Sequence, residues 1–513
     1  MKRNRLIKAT AIAASASIAL AFASCGAIDS TPAGTSETQT ETEAAETAAA
    51  TTTTTTTESS ETTEETESTQ KPVITEGDIT INGEIDSSAD SEHAVEVSGE
   101  TEEYSNVKIT KSGDSDAGDQ ADFYGDNAAV FATDGATLTL TNVVVSTDGT
   151  HANGVFSYGE GTTVNISDSV ITTDGNCSGG LMTTGGGTMN ASNLNIHTTG
   201  NSSAAIRSDR GGGTVNVTGG QYVTDGRGSP AVYSTADITV SDAVLQSTVS
   251  EGIVVEGRNS VTLNNVTLIA DNNQKNSDKS SVYKAVMIYQ SMSGDAKEGR
   301  ASFTMTGGSI TNANGDIFYV NNTVTTIVLE DVEIINQDQD GVFLRAEAAG
   351  WGSEGSNGGK VDLYLTNQTL EGDIAVDDIS YLNMYLTSGT TYEGAINADN
   401  EGTIYVEIGK GSKWTLTGDS YITSLTCDAD AIDLNGHTLY INGVAYTQGS
   451  AQTGEAVEFP VSSSGHGGNS DGGPGEPPDG GGSHGGSGDD GGHSKPPSGD
   501  GSHGEHGDPP PKP

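Results

Sequence analysis

Aromatic and positively charged side chains are scarce in this sequence, and both shortages restrict what the protein can bind. Aromatic residues make up only 5% of the chain, and 22 Lys and Arg residues stand against 71 Asp and Glu residues, which gives a formal net charge of −49. Nucleic acids and anionic lipid surfaces are bound through clustered Lys and Arg side chains. The composition therefore predicts no nucleic-acid partner and argues against peripheral docking on an anionic membrane.

Long hydrophobic runs are also absent, apart from a short one near the N-terminus. Cationic residues precede an apolar run from Ala9 to Ala23, which is shorter than the roughly 20 residues that span a bilayer. The run ends in Ala23-Ser24-Cys25, which resembles a bacterial lipoprotein signal. We expect residues 1–24 to be removed and Cys25 to carry a lipid that anchors the protein at the outer face of the cytoplasmic membrane, on the cell surface. An ordinary secretory signal with an incidental cysteine is the alternative.

Two low-complexity segments flank the central part of the chain. Residues 25–72 are rich in Thr and Glu, and residues 461–513 are rich in Gly, Pro, His and Asp. Neither composition can bury enough apolar surface to offset the entropy of ordering, so both segments are predicted to be disordered. The first is interpreted as a stalk. The second contains five of the nine histidines, but their irregular spacing does not define a metal site.

One repeating pattern runs through residues 73–460. Short segments with alternating apolar and polar residues, such as Thr137–Val143 and Val164–Val170, are each followed by a polar or glycine turn. Two longer gaps in the pattern predict outward loops near residues 271–284 and 346–360. The last apolar residue of each segment recurs mostly every 21 to 26 positions, at Leu140, Ile166, Ala191, Val217, Val240, Leu263, Met305, Leu329, Leu365, Leu386 and Ile408.

This periodicity predicts the fold class. A repeat in the low twenties that contains a period of two is typical of a solenoid. No helical pattern of ten residues separates the strands, and the leucine-rich-repeat framework is missing. We therefore predict an all-β protein, a right-handed parallel β-helix of roughly 14–16 coils between disordered flanks. A Greek-key sandwich with evenly spaced strands is the alternative.

Two of the three cysteines are predicted not to pair with each other. In a β-helix Cys177 and Cys427 lie about ten coils apart, which is too far for a disulfide.

A second apolar series is predicted to stack in the same solenoid. It consists of Phe131, Phe156, Met182, Ile206, Val232, Val254, Met287, Phe318 and Phe343.

The chain resembles the pectin-lyase-like superfamily of right-handed parallel β-helices. More narrowly, it is similar to exported β-helix lipoproteins of anaerobic gut bacteria, in the segments Ala205–Gly213, Met287–Asp295 and Asn367–Ile374. The resemblance implies the fold and the export. It does not imply one activity, because this fold includes lyases, hydrolases, esterases and adhesins.

Catalytic motifs of the pectic enzymes are missing. Asn-Thr-Asp does not occur, Asp377-Asp378 stands without companion motifs, and Gly-His-Gly occurs only around His466 in the tail. The leading hypothesis is therefore a non-catalytic adhesin or glycan-binding module. A divergent polysaccharide lyase or glycoside hydrolase and a structural spacer without a ligand are the alternatives. The histidines of the central part are scattered over distant coils: His93, His151, His197 and His437.

Two groups of residues are predicted as sites. Tyr rings can stack on sugar C–H groups, and Arg and Glu side chains supply directional hydrogen bonds. The ligand-binding prediction comprises Tyr158, Arg207, Tyr233, Glu256, Tyr289, Tyr319 and Arg345, with the alternative that several of them point inward. The second prediction is a calcium site, because its oxygen-bearing side chains have nearly the spacing of an EF-hand loop, with a polar turn as the alternative. It comprises Asn336, Asp338, Asp340 and Glu347.

Overall fold

The computed structural model describes residues 72–460. The export signal, the lipidation residue Cys25, almost all of the predicted stalk and the C-terminal tail lie outside the described residues. Within them, the helices are a 3₁₀ turn at Glu76–Asp78 and α1 at Asp119–Tyr124. Neither is long and apolar enough to cross a membrane. The remaining regular structure consists of strands, numbered β1 to β37 in chain order.

Three stacks of parallel strands form the body, and we call them face 1, face 2 and face 3. Face 1 has thirteen strands, which we call rungs 1 to 13. In order they are β3 (Thr101–Ser105), β6 (Thr137–Thr141), β9 (Thr163–Ser167), β12 (Gly187–Thr198), β14 (Gly213–Thr224), β16 (Asp237–Ser241), β19 (Ser260–Ala270), β21 (Arg300–Asn312), β23 (Val324–Glu330), β26 (Lys360–Thr366), β29 (Tyr381–Thr387), β31 (Thr403–Ile408) and β34 (Ser424–Cys427).

Face 2 shares four long strands with face 1, because the second halves of β12, β14, β19 and β21 continue into it. Its other strands are β1 (Gly83–Ser87), β4 (Val107–Lys111), β7 (Val144–Thr147), β10 (Val170–Thr173), β17 (Val244–Ser247) and β24 (Glu333–Asn336).

Face 3 is a separate sheet of eleven parallel strands. They are β2 (Val95–Ser98), β5 (Val130–Thr133), β8 (Val155–Tyr158), β11 (Leu181–Thr184), β13 (Ile206–Ser208), β15 (Val232–Ser234), β18 (Ile253–Glu256), β20 (Lys284–Tyr289), β22 (Asp316–Asn321), β25 (Leu344–Ala346) and β28 (Ile374–Val376).

Two small sheets complete the last coils. One is parallel, and the other ends in an antiparallel pair, β36 with β37. The first contains β27 (Thr369–Glu371), β30 (Thr391–Glu393), β32 (Lys413–Thr415) and β35 (Ile432–Asp433), and the second β33 (Ser420–Ile422), β36 (Leu439–Ile441) and β37 (Val444–Ala445).

The parallel stacks confirm the predicted β-helix and exclude the sandwich. Every apolar residue of the first predicted series pairs in register with the next, from Leu140 with Ile166 to Leu386 with Ile408. These side chains belong to one continuous buried core. Thirteen rungs at about 4.8 Å each extend about 60 Å along the axis.

The second predicted series is wrong in part. Phe131, Phe156 and Met182 pair in register on face 3, but Met182 then pairs with Arg207 instead of Ile206. The column likewise contains Tyr319, not Phe318. Strands on this face have only three to six residues. A shift of one residue exchanges the inner and outer sides of a strand, and such short strands give little pattern to fix it.

Outward excursions cover the outer side of face 3. Loops at residues 271–283 and 347–359 occur close to the predicted positions, and residues 290–299 form a third loop that was not predicted. The helix α1 is a further excursion, set between Gly118 and Gly125, which both have positive φ. As predicted, Cys177 and Cys427 do not pair, because Cys427 is free and buried.

Candidate functional site

The predicted ligand-binding residues do lie together on the outer side of face 3, in two adjacent columns. Arg207 pairs with Tyr233 and Tyr319 with Arg345, whereas Glu256 pairs with Tyr289 two positions further along. Tyr158 is in the second column, opposite Thr184. Most of these side chains are inaccessible, because the excursions cover them. Five of the seven are buried, namely Arg207, Tyr233, Glu256, Tyr289 and Tyr319.

The buried carboxylate of Glu256 explains why several of these residues are polar. It accepts hydrogen bonds from the hydroxyls of Tyr233, Tyr289 and Ser291, the second at 3.0 Å. Burial raises the pKa of Glu256. Trp351, from the loop at 347–359, packs edge-on against Tyr289 with ring centroids 5.4 Å apart. The recognition-type side chains at this point therefore bind one another and hold the loops on the sheet.

A second buried cluster surrounds Arg207. Its Nη2 donates to Asp209 Oδ2 at 2.9 Å and to Asp122 Oδ2 at 3.1 Å. Asp122 belongs to α1 and also lies 3.0 Å from Nδ1 of His151. Arg207 is 3% exposed, and both carboxylates are fully buried. The cluster therefore joins the first helical excursion to the middle of face 3.

This cluster predicts how stability depends on pH. Burial, together with the nearby carboxylate of Asp122, outweighs Arg207 and raises the pKa of Asp209 to about 7. The folded protein thus holds a proton on Asp209 that the unfolded chain has lost above about pH 4. We therefore expect the free energy of unfolding to decrease as the pH rises from about 4 to about 7. The contribution of this residue is at most about 1.4 kcal/mol per pH unit.

The variant Asp209→Asn tests this dependence, because asparagine keeps the shape of the side chain and does not titrate. Urea unfolding at several pH values should give a smaller decrease in stability for the variant than for the wild type. Equal slopes would show that Asp209 does not take up the proton.

One buried group of side chains has the composition of a metal site, namely Asp122, His151 and Cys177. Among residues 72–460 it is the only group of three or more His, Cys, Asp or Glu side chains whose potential ligand atoms all lie within 4.8 Å of one another. Both carboxylate oxygens of Asp122 already have partners, since Oδ2 contacts Arg207 and Oδ1 contacts Nδ1 of His151. We therefore assign no metal to this group.

The residues of the predicted calcium site have other contacts. Asp338 accepts the backbone N–H groups of Gly315 and Asp340, at 2.7 and 3.0 Å, and so closes a turn. Asn336 accepts the N–H of Asp338 in the same turn. Glu347 lies after β25 and accepts the Tyr319 hydroxyl at 2.9 Å. The structure does not bring these four side chains together as a ligand shell. Asn336 and Asp338 instead hold a polar turn, which was the alternative interpretation.

The outer side of face 1 is different on rungs 2 to 8, because it is open there and carries few charged side chains. On rungs 2 to 8 the inward residues are buried, and the three outward residues of each strand are partly or fully exposed. We call these outward residues the polar face. Its three columns are Thr137, Thr163, Thr188, Thr214, Asp237, Ser260 and Ser302; Thr139, Asn165, Asn190, Asn216, Thr239, Thr262 and Thr304; and Thr141, Ser167, Ser192, Thr218, Ser241, Asn264 and Thr306.

Hydrogen bonds between rungs order the polar face. Asn216 Nδ2 donates to Asn190 Oδ1, and Asn190 Nδ2 donates to Asn165 Oδ1, each at 3.0 Å. Ser260 donates to Asp237 at 2.7 Å. A shallow open groove runs beside the asparagine column on rungs 2 to 5. The result is a flat array of hydroxyl and amide groups that is held in place before any ligand arrives.

Two tyrosines stand at the far end of the middle column. It continues through Val328 to Tyr364 and Tyr385 on rungs 10 and 11. The two rings stack with centroids 4.7 Å apart and an interplanar angle of 8°. Tyr364 is 39% exposed. One face of its ring meets Tyr385, and on the other side the next residue of the column is Val328 on rung 9, which precedes the polar face.

Sequence reasoning missed the polar face, although its signal is present. The anchors Leu140 and Ile166 lie in the alternations Thr-Leu-Thr-Leu-Thr and Thr-Val-Asn-Ile-Ser, whose polar members are the polar face. The apolar members alone define the repeat, and the polar residues between them carry this second signal.

Comparison of the chain with protein-family models, with curated proteins and with solved structures gives no match.

Proposed function

We propose that this protein is a cell-surface lipoprotein whose β-helix binds a neutral glycan chain along the polar face and acts as an adhesin or glycan-binding module. One observation carries the proposal. Over seven successive rungs the three outward columns of the polar face hold only Thr, Ser and Asn, except for Asp237, in a chain with a formal net charge of −49, and Arg300 lies at the edge of this face on rung 8. The lipoprotein signal and the resemblance to exported pectin-lyase-like proteins support the location.

The chemistry of the polar face suits a neutral, hydroxyl-rich polymer. Hydroxyl and amide groups both donate and accept hydrogen bonds, as sugar hydroxyls do. Binding such a chain takes almost no charge out of water, so the desolvation penalty of an ion is avoided. An acidic polysaccharide would be repelled by the negative charge of the whole molecule. The proposed ligand is therefore an uncharged glycan that lies along the axis.

Binding is favoured over catalysis by the same residues. Hydrolysis of a glycosidic bond generally needs two carboxyl groups on either side of it. The polar face holds one carboxylate, Asp237, and contains no Lys, Arg or His. It can hold a chain but does not offer the acid and base that would cleave it.

The ring of Tyr364 is expected to contribute to the affinity, since sugar C–H groups stack on aromatic faces. The purified protein should bind neutral polysaccharides such as β-glucan, xylan or mannan in preference to polygalacturonate, as measured by affinity electrophoresis. Tyr364→Ala should weaken binding to the preferred polymer about three- to tenfold.

The matched control is Tyr440→Ala. Tyr440 stacks on Tyr421 with a similar geometry, 4.8 Å and 4°, on the small sheet of β33 and β36 away from the polar face. Equal binding by the two alanine variants would show that the Tyr364 ring does not belong to the site. Preferential binding of polygalacturonate would contradict a neutral ligand.

A further inference from the structure

A buried lysine stands at a corner where the next coils of the β-helix have small residues. Lys111 ends β4 and is fully buried. Its column on face 2 continues through Thr147 and Thr173, which are also buried. The lysine side chain is therefore directed into the solenoid, where its Nζ donates to the carbonyls of Ala89 and Gly113 at 2.9 and 2.7 Å.

The side-chain amide of Asn127 lies at the same corner. Asn127 is fully buried, and its Nδ2 donates to the Gly113 carbonyl at 2.8 Å and to the Thr150 carbonyl at 3.0 Å. Its Oδ1 accepts the N–H of Ser91 at 3.1 Å. Lys111 Nζ and Asn127 Nδ2 thus donate to one and the same carbonyl oxygen, which brings the amine and the carboxamide side by side.

Other coils show that these two positions touch. Thr173 occupies the Lys111 column. Ser178, like Asn127, lies three positions before a strand of face 3. The Thr173 hydroxyl donates to the Ser178 carbonyl, and the same bond joins the corresponding residues of the next two coils. A lysine and an asparagine therefore replace a threonine–serine pair that is in contact elsewhere in the solenoid.

The surroundings favour a reaction between the amine and the amide. Burial lowers the pKa of Lys111, although nearby carboxylates oppose the shift, so more of the amine is neutral and nucleophilic. The N–H of Ser91 polarises the Asn127 carbonyl. Burial also keeps out the water that would otherwise compete with the amine for an activated amide.

The carboxyl of Asp126 is available to move a proton. Burial raises its pKa, and its Oδ1 is buried without a hydrogen-bond partner among residues 72–460. Its Oδ2 accepts the Ser115 hydroxyl at 3.2 Å, and the Ser91 hydroxyl donates to Ser115 at 3.3 Å. Since Ser91 also holds the Asn127 amide, the carboxyl belongs to the same group of side chains.

We propose that Lys111 and Asn127 join in an isopeptide bond. Lys111 Nζ attacks Asn127 Cγ, so that an Nζ–Cγ bond forms, the Cγ–Nδ2 bond breaks and Nδ2 leaves as ammonia. One proton is transferred overall from Nζ to Nδ2, because Asp126 gives a proton to Nδ2 and takes one from Nζ. No oxidant, cofactor or other reactant is consumed.

Such a bond reinforces the N-terminal end of the β-helix. It closes a loop of residues 112–126, which contains α1, and ties the end of β4 to the start of β5. The first strands β1, β2 and β3 each pair on one side only within the described part of the chain. Terminal strands of a solenoid have the fewest neighbours and therefore open most easily. The inference does not depend on glycan binding.

Peptide mass spectrometry of the purified full chain tests the proposal. The denatured protein is digested with trypsin and with a protease that cleaves before aspartate. Because trypsin does not cleave after an acylated lysine, residues 109–113 should be recovered joined to residues 126–133, with a mass lower than that of the two peptides by one ammonia. Separate peptides with an intact Asn127 amide would overturn the proposal. Conversion of Asn127 to aspartate without a link would also overturn it, because water would then be the nucleophile.

Two variants and a second buried lysine serve as controls. Lys111→Arg and Asn127→Ser each remove one reacting group and should give no joined peptide. Lys284 is also buried, but its Nζ donates to the Val282 carbonyl and the Ser280 hydroxyl, and it should remain a cleavage site for trypsin. A joined peptide in either variant would overturn the assignment of the bond to these two residues.

The role of Asp126 is tested by the fraction of joined peptide shortly after synthesis. Asp126→Ala should lower this fraction at least about tenfold, and Asp126→Glu should restore most of it. Circular dichroism checks that both variants fold. Equal fractions in the wild type and in Asp126→Ala would refute proton transfer by Asp126.

Discussion

Replacing Arg207 by Met is expected to lower the free energy of unfolding by about 3–5 kcal/mol. The reason is that Asp122 and Asp209 are fully buried, and Arg207 donates to both. Removing one member of a buried ionic cluster leaves the others in a medium that solvates them poorly. Methionine keeps most of the aliphatic volume, so the loss is one of charge pairing and not of packing. Urea unfolding at pH 7, followed by circular dichroism, measures it.

The matched control is Arg300→Met. Arg300 also forms an ion pair, 2.6 Å from Asp362, but its side chain is 47% exposed. An exposed pair contributes about 0–1 kcal/mol, so this variant should change stability little. Equal losses for the two arginine variants would show that the Arg207 cluster is not a buried ionic network.

The inner side of face 1 could be predicted from the sequence because its signal is local. Leu140, Ile166 and their successors alternate with polar residues in strands of at least four residues, so the period of two fixes which side chain turns inward. The spacing between strands then gives the coil length. The two longer gaps in the repeat also predicted the positions of two of the loops, at residues 271–283 and 347–359. Residues 290–299 were missed because one gap, from Leu263 to Met305, contains two excursions.

Face 3 could not be predicted in the same way. Its strands are short and are apolar on both sides, as in Val-Met-Ile-Tyr at Val286–Tyr289, so alternation does not separate inner from outer residues. The burial of Arg207 depends on α1, whose Asp122 is 85 positions away. Contacts that distant follow from where an excursion folds back and leave no periodic signal. The polar residues on this face consequently resemble a binding surface in the sequence.

Introducing two glutamates on the polar face by substitution is expected to have the largest effect on glycan binding. Thr188 and Ser192 are outward residues of β12 on rung 4, beside the groove. In the variant Thr188→Glu with Ser192→Glu, a glycan would have to desolvate two carboxylates that find no cationic partner on this surface. At about 1 kcal/mol or more for each unpaired group, affinity should fall about 30-fold or more. The changes are on the surface and should leave stability nearly unchanged.

Isothermal titration of the preferred neutral polysaccharide into this variant is the most direct test of the claim that the polar face is the binding site. The matched control is Thr172→Glu with Gln246→Glu, which places two glutamates at outward positions of face 2. We predict that the control binds with the affinity of the wild type, while the polar-face variant loses about 30-fold or more. Wild-type affinity in the polar-face variant would contradict the assignment of the polar face as the binding site.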